Sequence, residues 1–357
     1  MFQHVPARTP ARIRGDELKT VKLANIGGRP VIVPNPKPKS QTSHNRSESI
    51  KLALAFAAIY LVWGSTYLAI RYAVETIPPL VTAGIRHTIA GAILLAWACA
   101  RGYRPKREHW LAGAVVGALF FLVGHGTLHW AEQHVASGLA ALLIATEPMF
   151  ILVLACMSGQ QKISRISALG LGVGVLGVAI LTGVELSAKD TSLLGLVAVL
   201  TGSLSWAAGV VVSPKLKLPT DALGRTAVPL VCGAAMLLAT ATVTGEFHSL
   251  HWANVSLKSM LGLAYLITFG SIVAFTSYTW LLQRCPPTLV ATHTYANPIV
   301  AVLLGWLLAS EALTLRVALA SVAILGAIVL IRRGERQTER RAAVKASADV
   351  KSFEQCA

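Results

Sequence analysis

Apolar residues fall into ten long blocks, at about residues 52–72, 80–100, 110–130, 136–157, 166–184, 192–213, 225–244, 259–280, 288–309 and 315–331. Each is near the roughly 20 residues that a helix needs to cross the hydrocarbon core of a bilayer. Short polar links separate them and leave no room for an extramembrane domain between spans. Two blocks carry an interruption. Ser137–Met157 reads SGLAALLIATEPMFILVLACM, with Glu147-Pro148 at its middle, and residues 288–310 read TLVATHTYANPIVAVLLGWLLAS, with Asn297-Pro298 at the matching place. Proline removes an amide donor and crowds the preceding turn. A carboxylate inside a span is costly and marks function by default. Both helices are therefore expected to be broken at these points. Paired broken helices in corresponding halves point to a binding site in a transporter.

The two interruptions belong to a repeat. A shift of 150 aligns Leu111 with Leu261, Trp130 with Trp280, Leu139 with Leu289, Ala141 with Ala291 and Pro148 with Pro298, and a shift of 143 aligns Trp63 with Trp206. Each copy holds five blocks. Five is odd, so the second copy enters the membrane from the opposite side. The expected fold is all-α integral membrane, with ten transmembrane helices in two inverted five-helix repeats, residues 51–184 and 192–332. Residues 1–50, rich in Pro, Ser, Arg and Lys, read as a disordered basic tail. Residues 333–357 read as a second basic tail.

Composition agrees: hydrophobic residues make up 54%, charged residues 13%, and the mean hydropathy is +0.60. Those values lie far from soluble domains. The net charge of +16 suggests nucleic acid until its distribution is considered, because 17 of the 32 Lys and Arg lie in residues 1–51 and 332–357. Arg101, Arg104, Lys106, Arg107, Lys162, Arg165, Lys215, Lys217, Arg225 and Arg284 crowd alternate loops, which places both termini in the cytoplasm. Cys99, Cys156, Cys232, Cys285 and Cys356 are widely spaced and suggest neither a disulfide framework nor a zinc knuckle.

Several motifs resemble the EamA family of the drug/metabolite transporter superfamily. They are Trp63-Gly64-Ser65-Thr66 with Ala69-Ile70-Arg71, Ile77-Pro78-Pro79 with Arg86, and Ala131-Glu132-Gln133 with the run from Ser137 to Leu142. Ala145-Thr146 before Pro148, and Asn297-Pro298 with Leu303-Leu304-Gly305 and Glu311, complete the set. The resemblance covers about residues 52–331. It implies ten helices, tandem repeats and a plasma-membrane carrier (the inner membrane in a bacterium), often an exporter of amino acids or other small metabolites. Glu147, His87, His125 and Gln161 depart from the family's usual residues.

The candidate chemistry lies in few places. Glu147 reads as a proton-loading or cation-pairing carboxyl, or else as a neutral acid bonded to a neighbouring helix. Pro148 and Pro298 read as gating breaks or static kinks. Tyr295 and Asn297 add polar groups beside the second proline. Arg86 reads as a fork for a substrate carboxylate, or as a structural cation paired with an acid such as Glu132. His125, His129 and Glu132 share one helical face, as a polar cavity lining, an interfacial cluster or a weak metal motif. Trp63, Thr66, Trp206 and Tyr278 read as pocket walls. Gly170, Gly172, Gly174 and Gly177 read as packing positions.

These readings favour a non-enzymatic secondary carrier that moves small metabolites, such as amino acids or drug-like compounds, by alternating access around a midplane cavity. Proton coupling and simple exchange both stay open. The other class is a membrane-embedded metal-dependent enzyme using the His125, His129 and Glu132 face. No Gly-Lys pair exists, so a Walker A loop is absent. No cofactor or resident metal is expected. The expected partners are a small-molecule substrate, the lipid bilayer, protons and a second copy of the chain, without nucleic acid.

Overall fold

The computed structural model describes residues 21–26, 29–34, 46–160, 163–185, 192–282, 284–285, 290 and 293–356. Its side chains are described within residues 48–338, with 181–185, 282 and 295 excepted. Residues 1–53 and 54–357 form separate units. The first contains an antiparallel pair, β1 (Val21–Ile26) and β2 (Arg29–Pro34), in register from Val21 opposite Pro34 to Ile26 opposite Arg29. The β-branched run Val31-Ile32-Val33 favours strand, and Gly27-Gly28 is a sequence suited to a two-residue hairpin link.

The helices follow the apolar blocks. Helix α1 comprises Arg46–Ala57, a π-helical segment Ala58–Val62, and Trp63–Ala73. Helix α2 is Pro79–Ala100. Helix α3 comprises Arg107–Gly117, a π-helical segment Ala118–His125, and Gly126–Ala131. Helix α4 has two parts, Ser137–Ile144 and Glu147–Met157. Next come α5 (Arg165–Glu185), α6 (Leu193–Val212) and α7 (Ala222–Val243). Helix α8 comprises Leu257–Tyr265, a π-helical segment Leu266–Val273, and Ala274–Leu282. The last two are α9 (His293–Ala309) and α10 (Leu315–Cys356). Eight of the described helices are long and apolar enough to cross a membrane, and the shorter apolar helices Arg165–Ile180 and Ala296–Ala309 stand at the other two expected positions.

The expected interruption occurs in α4. Its first part ends at Ile144, and the Thr146 hydroxyl closes the turn by donating to the Leu143 carbonyl at 2.6 Å. Pro148 then sits in the first turn of the second part, where a missing amide hydrogen costs nothing. The expected break at Pro298 is corrected, because α9 runs continuously through it. The adjacent Asn297 side chain ties this helix to α1. With its amide oriented to satisfy both ends, it donates to the carbonyls of His293 at 3.0 Å, Ile59 at 3.2 Å and Tyr60 at 3.2 Å. Helix α9 is thereby pinned to the π-helical segment of α1.

The helices pack in an ordered scheme. Helices α5 and α10 pair, as do α2 and α7, and α4 and α9. Helix α3 packs on α6 and α7, while α8 packs on α1 and α2. Helix α4 packs on α6, while α9 packs on α1. Exchanging each helix with the one five places along maps this scheme onto itself. Lipid tails are as apolar as leucine, so close contact rather than transfer from water holds such helices together. Gly117 shows the closeness: a Cβ there would lie 2.6 Å from the Pro229 carbonyl oxygen and 2.8 Å from the Gly233 nitrogen. Of the four glycines expected as packing positions on α5, Gly170, Gly174 and Gly177 face neighbours this tightly, and Gly172 faces open space.

Two carboxylates tie helix starts to distant loops. Glu246 accepts from the Leu80 and Val81 amides at 2.8 and 3.1 Å, at the start of α2. Glu311 accepts from the Ser137 and Gly138 amides at 2.8 and 3.0 Å and from the Ser137 hydroxyl at 2.7 Å. The first amides of a helix have no partner within it, and the helix dipole favours a negative charge there. Helix α10 continues well beyond the expected span end at residue 331. Its extension is rich in helix formers and holds the pair Arg332–Glu335 at 3.4 Å.

Candidate functional site

Three expected residues converge on one π-helical turn. Trp63, on α1, donates through Nε1 to the Gly270 carbonyl at 3.1 Å. Arg86, on α2, donates through Nε to the Ser271 hydroxyl at 3.0 Å. Thr66 abuts the same place: a Cβ on Gly270 would lie 2.9 Å from its methyl and 3.3 Å from an Arg86 terminal nitrogen. A π-turn breaks the regular i to i+4 ladder, which leaves carbonyls available to side chains. Gly270 lets Thr66 and Arg86 approach. Trp63 also packs edge-on against Phe275 and His293, with ring centres 5.5 and 4.9 Å away, and against Tyr278 at 5.2 Å.

The other half mirrors this contact. Trp206, on α6, lies against the π-helical segment of α3, stacked on Phe120 at 4.2 Å and on His125 at 5.2 Å. His125 Nδ1 and His87 Nε2 share a hydrogen bond at 2.8 Å, and His129 Nδ1 lies 2.7 Å from the His125 carbonyl. His87 and His129 are fully buried, and His87 Nδ1 and His129 Nε2 have no hydrogen-bond partner. Phe275 and Trp206 pack against one buried cluster that includes Phe121, Leu230 and Leu237, so the two aromatic groups are continuous.

The remaining candidates lie apart from this centre. Glu147 is half-buried at the α4 break, within electrostatic reach of Tyr67, Tyr278 and Arg332. Glu132 is buried, and both of its carboxyl oxygens lack a partner. It faces Arg71 and Glu311 rather than Arg86, so the expected pairing of Arg86 with Glu132 is not formed. Arg71 pairs with Glu311 instead. The polar cluster expected from His125, His129 and Glu132 divides accordingly, with the histidines at the centre and Glu132 near the α3 end. Asn297 bridges α9 to α1 as described. Tyr295 lies on α9, but its side chain is outside the described residues.

Two cavities flank the centre without including Trp63, Arg86 or Trp206. One of about 380 Å³ is lined by Val74, Thr76, Pro79, Trp130, Gln133 and Glu246. The other, about 180 Å³ and mostly apolar, lies among Leu142, Pro298, Val302, Leu313 and Ser321.

The sequence profile of the EamA-like transporter family matches residues 50–183 and again residues 193–333. The chain belongs to that family. It is 37% identical over 284 residues to the "Uncharacterized inner membrane transporter YedA" of Escherichia coli, across 79% of this chain and 90% of that one. It is 28% identical to the "Uncharacterized transporter YoaV" of Bacillus subtilis, across 79% and 94%, and 27% identical to "Protein PecM" of Dickeya dadantii, across 76% and 89%. One solved crystal structure covers 81% of this chain and 98% of its own, with a TM-score of 0.57 at 21% identity; this likeness concerns the fold alone. As an EamA-like protein the chain is a membrane transporter, so a small-molecule substrate and surrounding lipid are its partners.

Within this EamA-like frame, sequence reasoning did not single out Ser271, Gly270 or His293, and met His87 only as a departure from the family's usual residue. Ser271 and Gly270 carry no periodic or motif signal. The sign available for His87 was its polarity within a long apolar block.

Proposed function

We propose that this chain is a ten-span secondary carrier that exports small metabolites by alternating access around the centre between Trp63 and Trp206. The carrying observation is reciprocal. Trp63 of the first half engages the π-turn of α8, and Trp206 of the second half engages the π-turn of α3. A centre built from both halves at matching points suits a pair of inverted five-helix repeats that rock about a midplane site. The exchange symmetry of the helix pairings and the two family matches support that reading. The two shorter apolar helices, α5 and α9, complete ten spans.

The substrate-facing residues in this reading are Trp63, Thr66, Arg86, His125, Trp206 and Tyr278, with Asn297 on the adjoining face of α9. The split at Pro148 is the flexible point in α4, and Pro298 is a pinned kink opposite it. Glu147 and Glu132 are the coupling carboxyls that load and release a proton. Basic loops on one side support cytoplasmic termini, and the inner-membrane relative supports a bacterial inner membrane. The enzyme alternative finds no supporting observation. Among the described residues no three His, Cys, Asp or Glu side chains gather as a ligand set, and His125 is engaged by His87.

The test is a metabolite screen in proteoliposomes, with and without a pH gradient. Flux of at least one solute, quickened by the gradient, is expected. A broad screen without flux would sink the carrier reading; flux indifferent to the gradient would remove proton coupling alone.

A further inference from the structure

Arg86 is a buried cation without a counter-charge. Its side chain is 3% exposed. Its hydrogen bond to Ser271 goes to a neutral hydroxyl. Among the described residues no carboxylate pairs with it: Glu311 pairs with Arg71, Glu75 with Lys258, and Glu335 with Arg332. Glu246 binds the α2 amides, and Glu147 and Glu132 face other groups.

The surroundings add imidazoles rather than acids. His87, His125 and His129 lie within electrostatic reach of Arg86. His87 Nδ1 and His129 Nε2 are buried without partners. An unpaired buried charge costs several kcal/mol even after relaxation, by general expectation. A fixed cation recovers that cost when an anion arrives. The guanidinium fork suits a planar or trigonal anionic group bound through two oxygens.

The walls define the rest of the ligand. Trp63 is anchored to Gly270, one residue from the Arg86 partner. Trp206 stacks on Phe120 and His125 in continuity with it. Such faces accept a flat apolar body. A zwitterion's ammonium group would find no carboxylate beside Arg86 and would lie near its positive charge.

Building on the carrier reading, we propose that the transported substrate class is the organic monoanion with a planar apolar body, its anionic group held by Arg86.

The experiment uses the full chain, in detergent for binding and in proteoliposomes for flux. The probes are benzenesulfonate, neutral benzenesulfonamide, phenyltrimethylammonium and L-phenylalanine, each sharing a phenyl body. Sulfonate is expected to bind roughly tenfold to a hundredfold tighter than the sulfonamide, the range of a charge-assisted contact, and to exchange across the membrane. Arg86→Gln is expected to erase that preference, with Arg86→Lys keeping part of it. The charge series on the unaltered protein stands even where a variant fails to fold. Equal binding of sulfonate and sulfonamide, or preference for the cation or phenylalanine, overturns the anion class while leaving a carrier. Flux of some other metabolite without sulfonate binding does the same. No flux of any compound overturns the carrier reading and the anion class with it.

Discussion

Arg71 and Glu311, 240 residues apart, form an ion pair that joins α1 to the link between α9 and α10. The same carboxylate caps α4 through Ser137 and Gly138. One side chain thus holds three elements. The pair is not isolated from solvent, since the Arg71 side chain is 34% exposed while that of Glu311 is 10% exposed. Most of the energy therefore belongs to the amide bonds.

Glu311→Ala is expected to destabilise the protein by about 2–4 kcal/mol, because it removes a helix cap and strands a cation. Arg71→Ala is expected to cost less, about 1 kcal/mol. Unfolding of both single variants and the double variant in detergent measures this. Equal losses for the two single changes would show that the cap is unimportant.

Asn297→Leu leaves the Ile59 and Tyr60 carbonyls without the bridging amide. A loss of about 1–2 kcal/mol is expected, in the range for interhelical polar contacts within membranes. Asn297→Asp is expected to be at least as harmful, since an ionised carboxylate cannot donate. Wild-type melting temperatures for both would exclude the bridge.

Glu147→Gln keeps the shape of the α4 break and removes the titratable group. Membrane insertion and folded yield are expected to match wild type, while transport loses its dependence on the pH gradient. A wild-type flux profile across pH in proteoliposomes would eliminate Glu147 as the coupling group.

Glu246 gives a pH signature outside the spans. Burial raises its carboxyl above the ordinary 4.5, and the Val81 and Leu80 amides pull it partly back. The folded chain then holds the proton more tightly than the unfolded one. Its stabilising contribution is full below 4.5 and is lost as pH rises through the raised value. Glu246→Gln abolishes that titration, so its melting temperature should change less than wild type between about pH 4 and 7. Parallel curves for the two proteins would refute this linkage.

The spans were legible because membrane length and apolarity are properties of contiguous sequence. The α4 break was legible because Glu147-Pro148 carries a polar group and a lost donor at one point. The continuity of α9 was not, because in the sequence Pro298 looks as disruptive as Pro148. Arg71 and Glu311 were visible as family motif residues, yet pairing across 240 positions leaves no local pattern. The hairpin at residues 21–34 was hidden by the Pro, Lys and Arg around it. Trp63, Thr66 and Arg86 were read as candidate site residues, but their meeting point at Gly270-Ser271 depends on a backbone irregularity that no composition signals.

That irregularity has a mechanical meaning. Each π-helical segment in α1, α3 and α8 holds backbone that an α-helix would wind differently. Shifting such a segment by one residue would turn the helix beyond it by about 100° and advance it about 1.5 Å, with no bond in the outer turns broken. The tryptophans grip two of these segments. A solute that displaced an indole would free such a segment to shift, and a helix could then change which face it shows without coming apart in the lipid.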